Sequence, residues 1–217
     1  MMFSEELKEK LYECGAIATL VIDDLENAVP VAKALLDGGI WVMELTLRTP
    51  VAMNAMLEIK KQLPEMTIGM GTVLTTEQVK QVSEAGADFA VSPGLNPNVV
   101  KAAIKYGLPF APGIVTPSDI ELAVELGCKF LKYFPAEPSG GLKYLKSMAA
   151  PYNHLGLKYL PLGGLNQNNF GQYIEDPLIL AVGGSWIAKR EFIKNKEWEK
   201  IKENARQAAE LVKKIRG

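Results

Sequence analysis

The chain has few of the residues that build metal sites and disulfide frameworks. Its 217 residues include only two cysteines, Cys14 and Cys128, and one histidine, His154. One histidine does not make a typical zinc site, and two cysteines in or beside apolar segments do not make a disulfide framework. We therefore expect buried free thiols and a surface histidine, and the residues give no sign of a cofactor.

An excess of charge of one sign and a long apolar run are also missing. The formal net charge is −1, with 48% hydrophobic and 23% charged residues. A nearly neutral chain has no electrostatic attraction for nucleic acid or an anionic membrane. No apolar run approaches the length of a membrane span, and the N-terminal residues 1–6 are acidic, unlike a signal peptide. These features predict a cytoplasmic globular protein with no nucleic-acid or membrane partner.

Short apolar runs alternate with helical patterns along the whole chain. The predicted strands are 16–22, 40–47, 67–72, 88–92, 108–112, 129–134, 157–162 and 179–182. The predicted helices are 24–37, 50–63, 77–85, 97–106, 117–126, 141–149, 167–175 and an amphipathic terminal helix, 198–215. Alternation predicts parallel strands joined by helical crossovers. Eight strands in this length predict a (β/α)₈ TIM barrel in which residues 1–217 form a single domain.

Local signals support this organisation. Four glycines lie between a helix and the next strand, where a left-handed C-cap is needed: Gly39, Gly86, Gly107 and Gly127. Asp24 is expected to cap one helix, and Pro50 to open another at its first position. A doubly wound open sheet is the rival fold, but it usually carries a Gly-x-Gly-x-x-Gly turn after its first strand. Residues 22–25 here read Ile-Asp-Asp-Leu.

Lys132 lies in mid-strand among Phe130, Leu131, Tyr133 and Phe134. Burial disfavours a charged ammonium, and a neutral amine attacks carbonyl groups, which is how Schiff-base lysines arise. The alternative is a lysine that extends to the surface or pairs with a carboxylate.

The strand at 40–48 places an acid and a base on one face. Because strand side chains alternate, Glu44 and Arg48 share a face, which points inward in a barrel and ends at its catalytic rim. An ion pair that only holds the strand end is the alternative. Thr72 and Pro93 lie at the ends of other strands on the same rim, and the Thr72 hydroxyl is suited to holding a carboxylate.

Two glycine pairs follow the last two predicted strands. Gly163-Gly164 and Gly183-Gly184 allow backbone N–H groups to approach an anion, and a helix starting at Ser185 would add its dipole. Barrels of this type often bind phosphate after strands 7 and 8. We therefore expect a phosphate site at these turns.

Together these segments resemble those of 2-keto-3-deoxy-6-phosphogluconate (KDPG) aldolase. The similar segments are 39–50, 69–74, 92–94, 132–137, 163–164 and 183–186, spread over residues 10–190. The resemblance implies a class I aldolase, a carbon–carbon lyase with a (β/α)₈ barrel, no metal and a homotrimeric assembly. It implies cleavage of a phosphorylated 2-keto acid, KDPG, to pyruvate and glyceraldehyde 3-phosphate.

The resemblance also implies residue roles. Lys132 is the Schiff-base lysine and Glu44 the general acid and base; Arg48 and Thr72 bind the carboxylate. The remaining implied residues wall the site or hold phosphate: Pro93, Phe134, Gly163, Gly164, Gly183, Gly184 and Ser185.

One position departs from the family's pattern. Gluconate-type enzymes of the family carry threonine before the first glycine pair, where this chain has Leu162. A lost hydroxyl removes a contact that helps to distinguish stereoisomers. The galactonate epimer is therefore an alternative substrate, as is 4-hydroxy-2-oxoglutarate (KHG). The residues also leave open a phosphosugar isomerase and a non-catalytic barrel that only binds phosphorylated acids.

Overall fold

The computed structural model describes residues 3–217; Met1 and Met2, which begin the acidic N-terminal segment, lie outside the described residues. These residues form nine strands, ten α-helices and two 3₁₀ helices, Leu25–Asn27 and Ala150–Leu155. The strands are β1 (Ala16–Leu20), β2 (Val42–Thr46), β3 (Thr67–Gly71), β4 (Phe89–Val91), β5 (Phe110–Ala111), β6 (Gly113–Ile114), β7 (Phe130–Tyr133), β8 (Lys158–Pro161) and β9 (Val182–Gly184). The helices are α1 (Glu5–Cys14), α2 (Ala28–Asp37), α3 (Ala52–Gln62), α4 (Thr76–Glu84), α5 (Pro97–Lys105), α6 (Pro117–Glu125), α7 (Gly141–Ala149), α8 (Phe170–Ile174), α9 (Arg190–Lys194) and α10 (Trp198–Arg216).

The strands form a curled parallel arrangement. Six strands pair in the order β5-β4-β3-β2-β1-β9, and β6-β7-β8 form a second group. Parallel bridges join Tyr159 to Ile179 and Leu162 to Gly183. The expected α/β fold with helical crossovers is confirmed. The single strand predicted at 108–112 is wrong, because Pro112, which has no N–H for the ladder, separates β5 from β6.

Apolar residues fill the interior and close one end of it. On β2, Met43 and Leu45 are fully buried. Phe3 lies between the first residues of β4 and β7, with ring centroids 6.2 Å from Phe89 and 4.5 Å from Phe130. The amino ends of these strands are therefore covered, and a polar site is left to their carboxyl ends.

Several predicted boundaries shift in the structure. Asp24 precedes a 3₁₀ turn (Leu25–Asn27) without a side-chain capping bond, so α2 begins only at Ala28. Pro50 lies in a turn before α3 rather than at its first position. Helices α1 and α9 are additional to the predicted set, and α8 is shorter than the predicted 167–175. The four glycines predicted as left-handed all have positive φ, and α10 matches the predicted 198–215 to within one residue.

Ser4 caps the first turn of α1. Its hydroxyl accepts a hydrogen bond from Leu7 N at 3.1 Å, and Glu5 and Glu6 occupy the positive end of the helix dipole. Within residues 3–217, no helix is both long and apolar enough to cross a membrane.

Both cysteines are free and buried, as expected. Burial raises the pKa of the Cys14 thiol to about 11 and also raises that of Cys128. Because only the thiolate reacts, alkylation at pH 8 should be slow in the native protein and become faster as the pH rises towards 11. Mass spectrometry after iodoacetamide treatment measures this, with urea-unfolded protein as the control. Equal labelling of Cys14 in native and unfolded protein would contradict the prediction.

Candidate active site

An amine and a carboxylate meet inside the fold. Lys132 on β7 and Glu44 on β2 are 88 residues apart, and Lys132 Nζ donates to Glu44 Oε1 at 3.1 Å. Their side chains are only 6% and 3% exposed. Removing one member of such a pair leaves a buried charge without a partner, at a cost of about 3–5 kcal/mol. Lys132 is therefore buried and paired with a carboxylate, an arrangement that both the Schiff-base interpretation and the ion-pair alternative allow.

The pair lies in a cavity of about 180 Å³. Water occupies roughly 30 Å³ per molecule, so the cavity has room for a small organic acid. We call it the central cavity; its lining residues are Thr19, Glu44, Thr46, Arg48, Thr72, Pro93, Lys132, Phe134, Leu162, Gly163, Gly183, Gly184 and Ser185. Every site residue predicted from the sequence lines it except Gly164. Thr19 and Thr46 were not predicted.

Three larger hollows lack this chemistry. One, of about 470 Å³, lies between α1 and α10, another, of about 490 Å³, lies beside Asp23 and Arg190, and a third, of about 240 Å³, lies beside Lys10 and Asp88. The charged pairs along the first two, Arg206–Glu210 and Arg190–Asp23, are largely exposed to solvent. The central cavity is therefore the candidate active site, although it is the smaller space.

A glycine on the neighbouring strand makes room for the acid. β2 and β3 are parallel, with Glu44 opposite Gly69 and Thr46 opposite Gly71. A Cβ atom at Gly71 would overlap the Glu44 carboxylate, and one at Gly69 would overlap the Phe89 ring. The carboxylate thus occupies volume that any other residue at position 71 would fill.

Arg48 is held at the mouth of the cavity by Thr46. Arg48 Nε donates to Thr46 Oγ1 at 3.1 Å, and this hydroxyl donates to Leu20 O at 2.9 Å, at the end of β1. The two Nη groups make no hydrogen bond to a described residue, so the guanidinium edge is available to a ligand. A guanidinium fork suits a carboxylate. Arg48 therefore does not form the ion pair with Glu44 that the sequence left open as an alternative.

Thr72 has a backbone conformation that is rare for its residue type. It follows β3 with φ of 61°, in the left-handed region. β-branched residues are genuine outliers there, and such strain costs about 1–3 kcal/mol. Because Thr72 lines the central cavity, the strained backbone directs a hydroxyl-bearing residue to the site.

Aromatic and proline residues form the apolar wall. Lys132 Nζ lies 5.3 Å from the centre of the Phe134 ring. Pro93 follows β4, and a Cβ atom at Gly113 of β6 would overlap the Pro93 backbone. Leu162, which is 3% exposed, occupies the space beside Gly183. These side chains offer no hydrogen bonds, so polar contacts to a ligand come from the other residues of the cavity.

The first glycine pair forms a braced turn after β8. Gly163 and Gly164 have φ of 95° and 81°. Glu137 N donates to Gly163 O at 3.0 Å, and the Glu137 carboxylate accepts a hydrogen bond from the Tyr173 hydroxyl. Burial, together with this bond, raises the pKa of Tyr173. Gly164 packs against Glu137 behind the turn. It therefore supports the turn and does not line the cavity.

The second glycine pair differs from the sequence-based prediction. Gly183 and Gly184 lie inside β9 and not after it, since the strand runs later than the predicted 179–182. Ser185 lies in a turn, and α9 begins only at Arg190. The predicted helix start at Ser185, with its dipole, is therefore wrong. Gly184 is required because the Trp186 ring covers the position of its Cβ atom.

Among residues 3–217, no group of three or more His, Cys, Asp or Glu side chains has an arrangement that could hold a metal ion. His154, the one histidine, is exposed.

Known proteins are similar to this chain in sequence and in fold. The family model for KDPG and KHG aldolase matches residues 7–204. The KHG/KDPG aldolase of Escherichia coli K12 is 41% identical over 197 residues, which cover 91% of this chain and 92% of that protein. The 2-dehydro-3-deoxy-phosphogluconate aldolase of Treponema pallidum is 39% identical over 204 residues, covering 94% and 96%.

A solved structure agrees with the sequence comparison. KDPG aldolase from Legionella pneumophila, in which pyruvate was captured as a covalent carbinolamine intermediate, has a TM-score of 0.87 and 38% identity. The match covers 92% of this chain and 96% of that one. Fold and relatives define the class of the chain as a carbon–carbon lyase. More particularly, the chain belongs to the KDPG and KHG aldolase family.

Replacing Thr46 with valine should weaken the binding of a small carboxylate. The change removes the hydroxyl that orients Arg48, so we expect about a tenfold rise in the Kd for pyruvate, a typical effect of losing one hydrogen bond to a charged group. Calorimetric titration measures this.

Thr49→Val is the matched control. Thr49 also donates to a carbonyl near the end of β1, that of Ile22 at 2.6 Å, but it does not line the central cavity. An equal loss of affinity in both variants would show that Thr46 acts only through the stability of the strand end.

Proposed function

We propose that the chain is a class I aldolase that cleaves KDPG to pyruvate and glyceraldehyde 3-phosphate through a Schiff base on Lys132. The observation that carries this proposal is the buried contact of 3.1 Å between Lys132 Nζ and Glu44 Oε1 within the central cavity. Membership of the KDPG and KHG aldolase family supports it, as does the covalent pyruvate intermediate of the Legionella relative.

The reaction begins with attack of Lys132 Nζ on the C2 ketone and ends with release of pyruvate. Loss of water leaves a protonated imine, which accepts the electron pair of the breaking C3–C4 bond. Glu44, through a water, takes the proton of the C4 hydroxyl, and the aldehyde departs. Glu44 then returns a proton to C3 of the enamine, and hydrolysis of the imine frees Lys132 and pyruvate. Such proton transfers supply about 10²–10⁴-fold in rate.

Arg48 and Thr72 bind the carboxylate of the keto acid. The free edge of the Arg48 guanidinium supports this assignment, as does the position of Thr72 on the cavity wall. Phe134 and Pro93 wall the pyruvyl part of the substrate. The carboxylate is bound at one end of the substrate and the phosphate at the other. The binding energy of these two remote groups orients C2 towards Lys132.

We assign phosphate binding to the two glycine pairs and Ser185. Gly163, with positive φ, and Gly183 and Gly184 bring backbone to the cavity, Gly164 supports the turn behind Gly163, and Ser185 adds a hydroxyl. This assignment rests on backbone N–H groups and the serine, without a helix dipole.

Leu162 favours a second candidate substrate, the galactonate epimer of KDPG. Its aliphatic side chain lines the cavity where a hydroxyl would distinguish the two configurations at C4. KHG is a third candidate, because the Escherichia coli relative carries both substrates in its name. KHG has no phosphate, so the glycine turns argue for a phosphorylated acid.

The finer architecture and the assembly are also proposals. The parallel bridges from β8 towards β9 support a closed (β/α)₈ barrel in which β5 and β6 count as one interrupted strand. Contacts of α10 with α1, α2 and α8 support a single domain spanning 1–217. A homotrimer and a cytoplasmic location follow from the family resemblance and from composition; sedimentation equilibrium tests the trimer.

Borohydride reduction in the presence of pyruvate tests the imine. We expect a reduced pyruvyl adduct on the peptide that contains Lys132, detected by mass spectrometry. Lys132→Ala should abolish both adduct and turnover. Glu44→Gln should still form the adduct but cleave KDPG about 10²–10⁴ times more slowly, because the proton acceptor is lost.

Lys129→Ala is the control for nonspecific reduction, since Lys129 precedes the same strand and contacts Leu155 O at the surface. No adduct at Lys132 in folded wild-type protein would refute the aldolase proposal and favour an isomerase or a phosphate-binding barrel. Near-normal turnover in Lys132→Ala would refute the mechanism.

Leu162→Thr should change the stereochemical preference. A hydroxyl at this position gives the gluconate configuration a contact, so we expect the ratio of kcat/KM for KDPG over its galactonate epimer to rise about tenfold. Leu162→Val, which matches threonine in shape, is the control. The same ratio in the two variants would show that this position does not read C4.

A further inference from the structure

Thr19 has a buried hydroxyl without a partner. Its Oγ1 atom is inaccessible to solvent, and no described residue forms a hydrogen bond with it. Asn27 Oδ1 and Tyr159 Oη are also unpartnered, but only Thr19 lines the central cavity. Buried polar groups are rarely left unsatisfied, and an ordered water is a common partner for a group that has no protein partner.

The sheet places this hydroxyl beside the acid of the site. β1 and β2 are parallel with Thr19 in register with Glu44. Paired strands lie about 4.8 Å apart, and residues in register point to the same face. Thr19 and Glu44 both line the central cavity, yet no direct hydrogen bond joins them. A water between the two side chains would give the Thr19 hydroxyl the partner that it lacks.

The other polar groups of the cavity have different tasks. The Thr46 hydroxyl is already engaged with Leu20 O and Arg48 Nε. Arg48 and Thr72 are assigned to the carboxylate, and Ser185 to the phosphate. Leu162 and Phe134 offer no hydrogen bonds. A buried water needs two to four polar partners, and Thr19, Glu44 and Lys132 are those that remain.

We propose that Thr19 is a positioning residue that, together with Glu44, holds the water through which Glu44 exchanges protons with the substrate. This rests on the proposed aldolase function. During cleavage the C4 hydroxyl gives its proton to the water as the water gives one to Glu44. During protonation of the enamine, Glu44 gives a proton to the water, which gives one to C3. Thr19 neither gains nor loses a proton; its hydroxyl fixes where the water lies.

The test separates proton exchange from imine formation. Pyruvate alone forms the imine and exchanges its C3 protons with D₂O through Glu44, which NMR follows. In Thr19→Val, which keeps the side-chain shape, we expect exchange and KDPG cleavage to slow at least about tenfold. Borohydride trapping at Lys132 should stay within about twofold of wild type. Thr19→Ser, which keeps the hydroxyl, should stay within about threefold in all three measurements.

The competing explanations predict different outcomes. Exchange in Thr19→Val within twofold of wild type overturns the proposal; if cleavage alone slows, the hydroxyl contacts the C4 hydroxyl of the substrate directly. Loss of exchange in both Thr19→Ser and Thr19→Val overturns it as well, because shape then matters and the hydroxyl does not. Thr49→Val controls for losing a threonine hydroxyl outside the cavity. If Thr19→Val fails to fold, Thr19→Ala removes the same hydroxyl with less bulk.

Failure of the underlying function is distinguishable. Wild-type protein that neither traps pyruvate nor exchanges its protons refutes the proposed aldolase. Wild-type protein that does both, with an unchanged Thr19→Val variant, refutes only the role of Thr19.

Discussion

The buried contact between Lys132 and Glu44 is the constraint on which the rest of the structure depends. An amine and a carboxylate withdrawn from water are tolerated only when they hold each other in good geometry. Their strands, β7 and β2, lie in different groups of strands. The curl of the parallel arrangement is therefore what brings them together. Apolar packing at the amino ends keeps this polar centre at the carboxyl ends.

Much of this centre could be predicted from the chain alone, because its residues conflict with their surroundings. Burying a lysine among aromatic residues or a glutamate in an apolar strand costs free energy unless the charge is paired. Strand alternation then places Glu44 and Arg48 on one face. The residues that were missed do not conflict with anything. Thr19 and Thr46 are ordinary strand residues by type. Alternation places Thr46 on the face of Glu44 and Arg48 without indicating its task, and only register and its buried hydroxyl distinguish Thr19. Glu137 lies in a recognisable segment, but its bond to Tyr173 depends on the position of α8.

Glycine and proline account for the boundaries that were wrong. A glycine pair fits a turn or the end of a strand, so Gly183 and Gly184 indicated a turn where β9 continues. Pro112 fits the end of a strand, but here it divides one. A long periodic segment such as α10 has many residues that all indicate a helix. A glycine pair or a single proline is compatible with either a turn or a strand, and pairing with the neighbouring strand decides which one forms.

Gly71 has a consequence for how this protein can change. The volume above it is filled by the Glu44 carboxylate, which belongs to another strand. Substitutions at 44 and 71 are therefore not independent, and residues in contact depart from additivity. A larger residue at position 71 fits only after the side chain at position 44 has been shortened, and that change already displaces or removes the carboxylate. Among descendants of this sequence, the order in which such changes are accepted is thus restricted by packing as well as by chemistry.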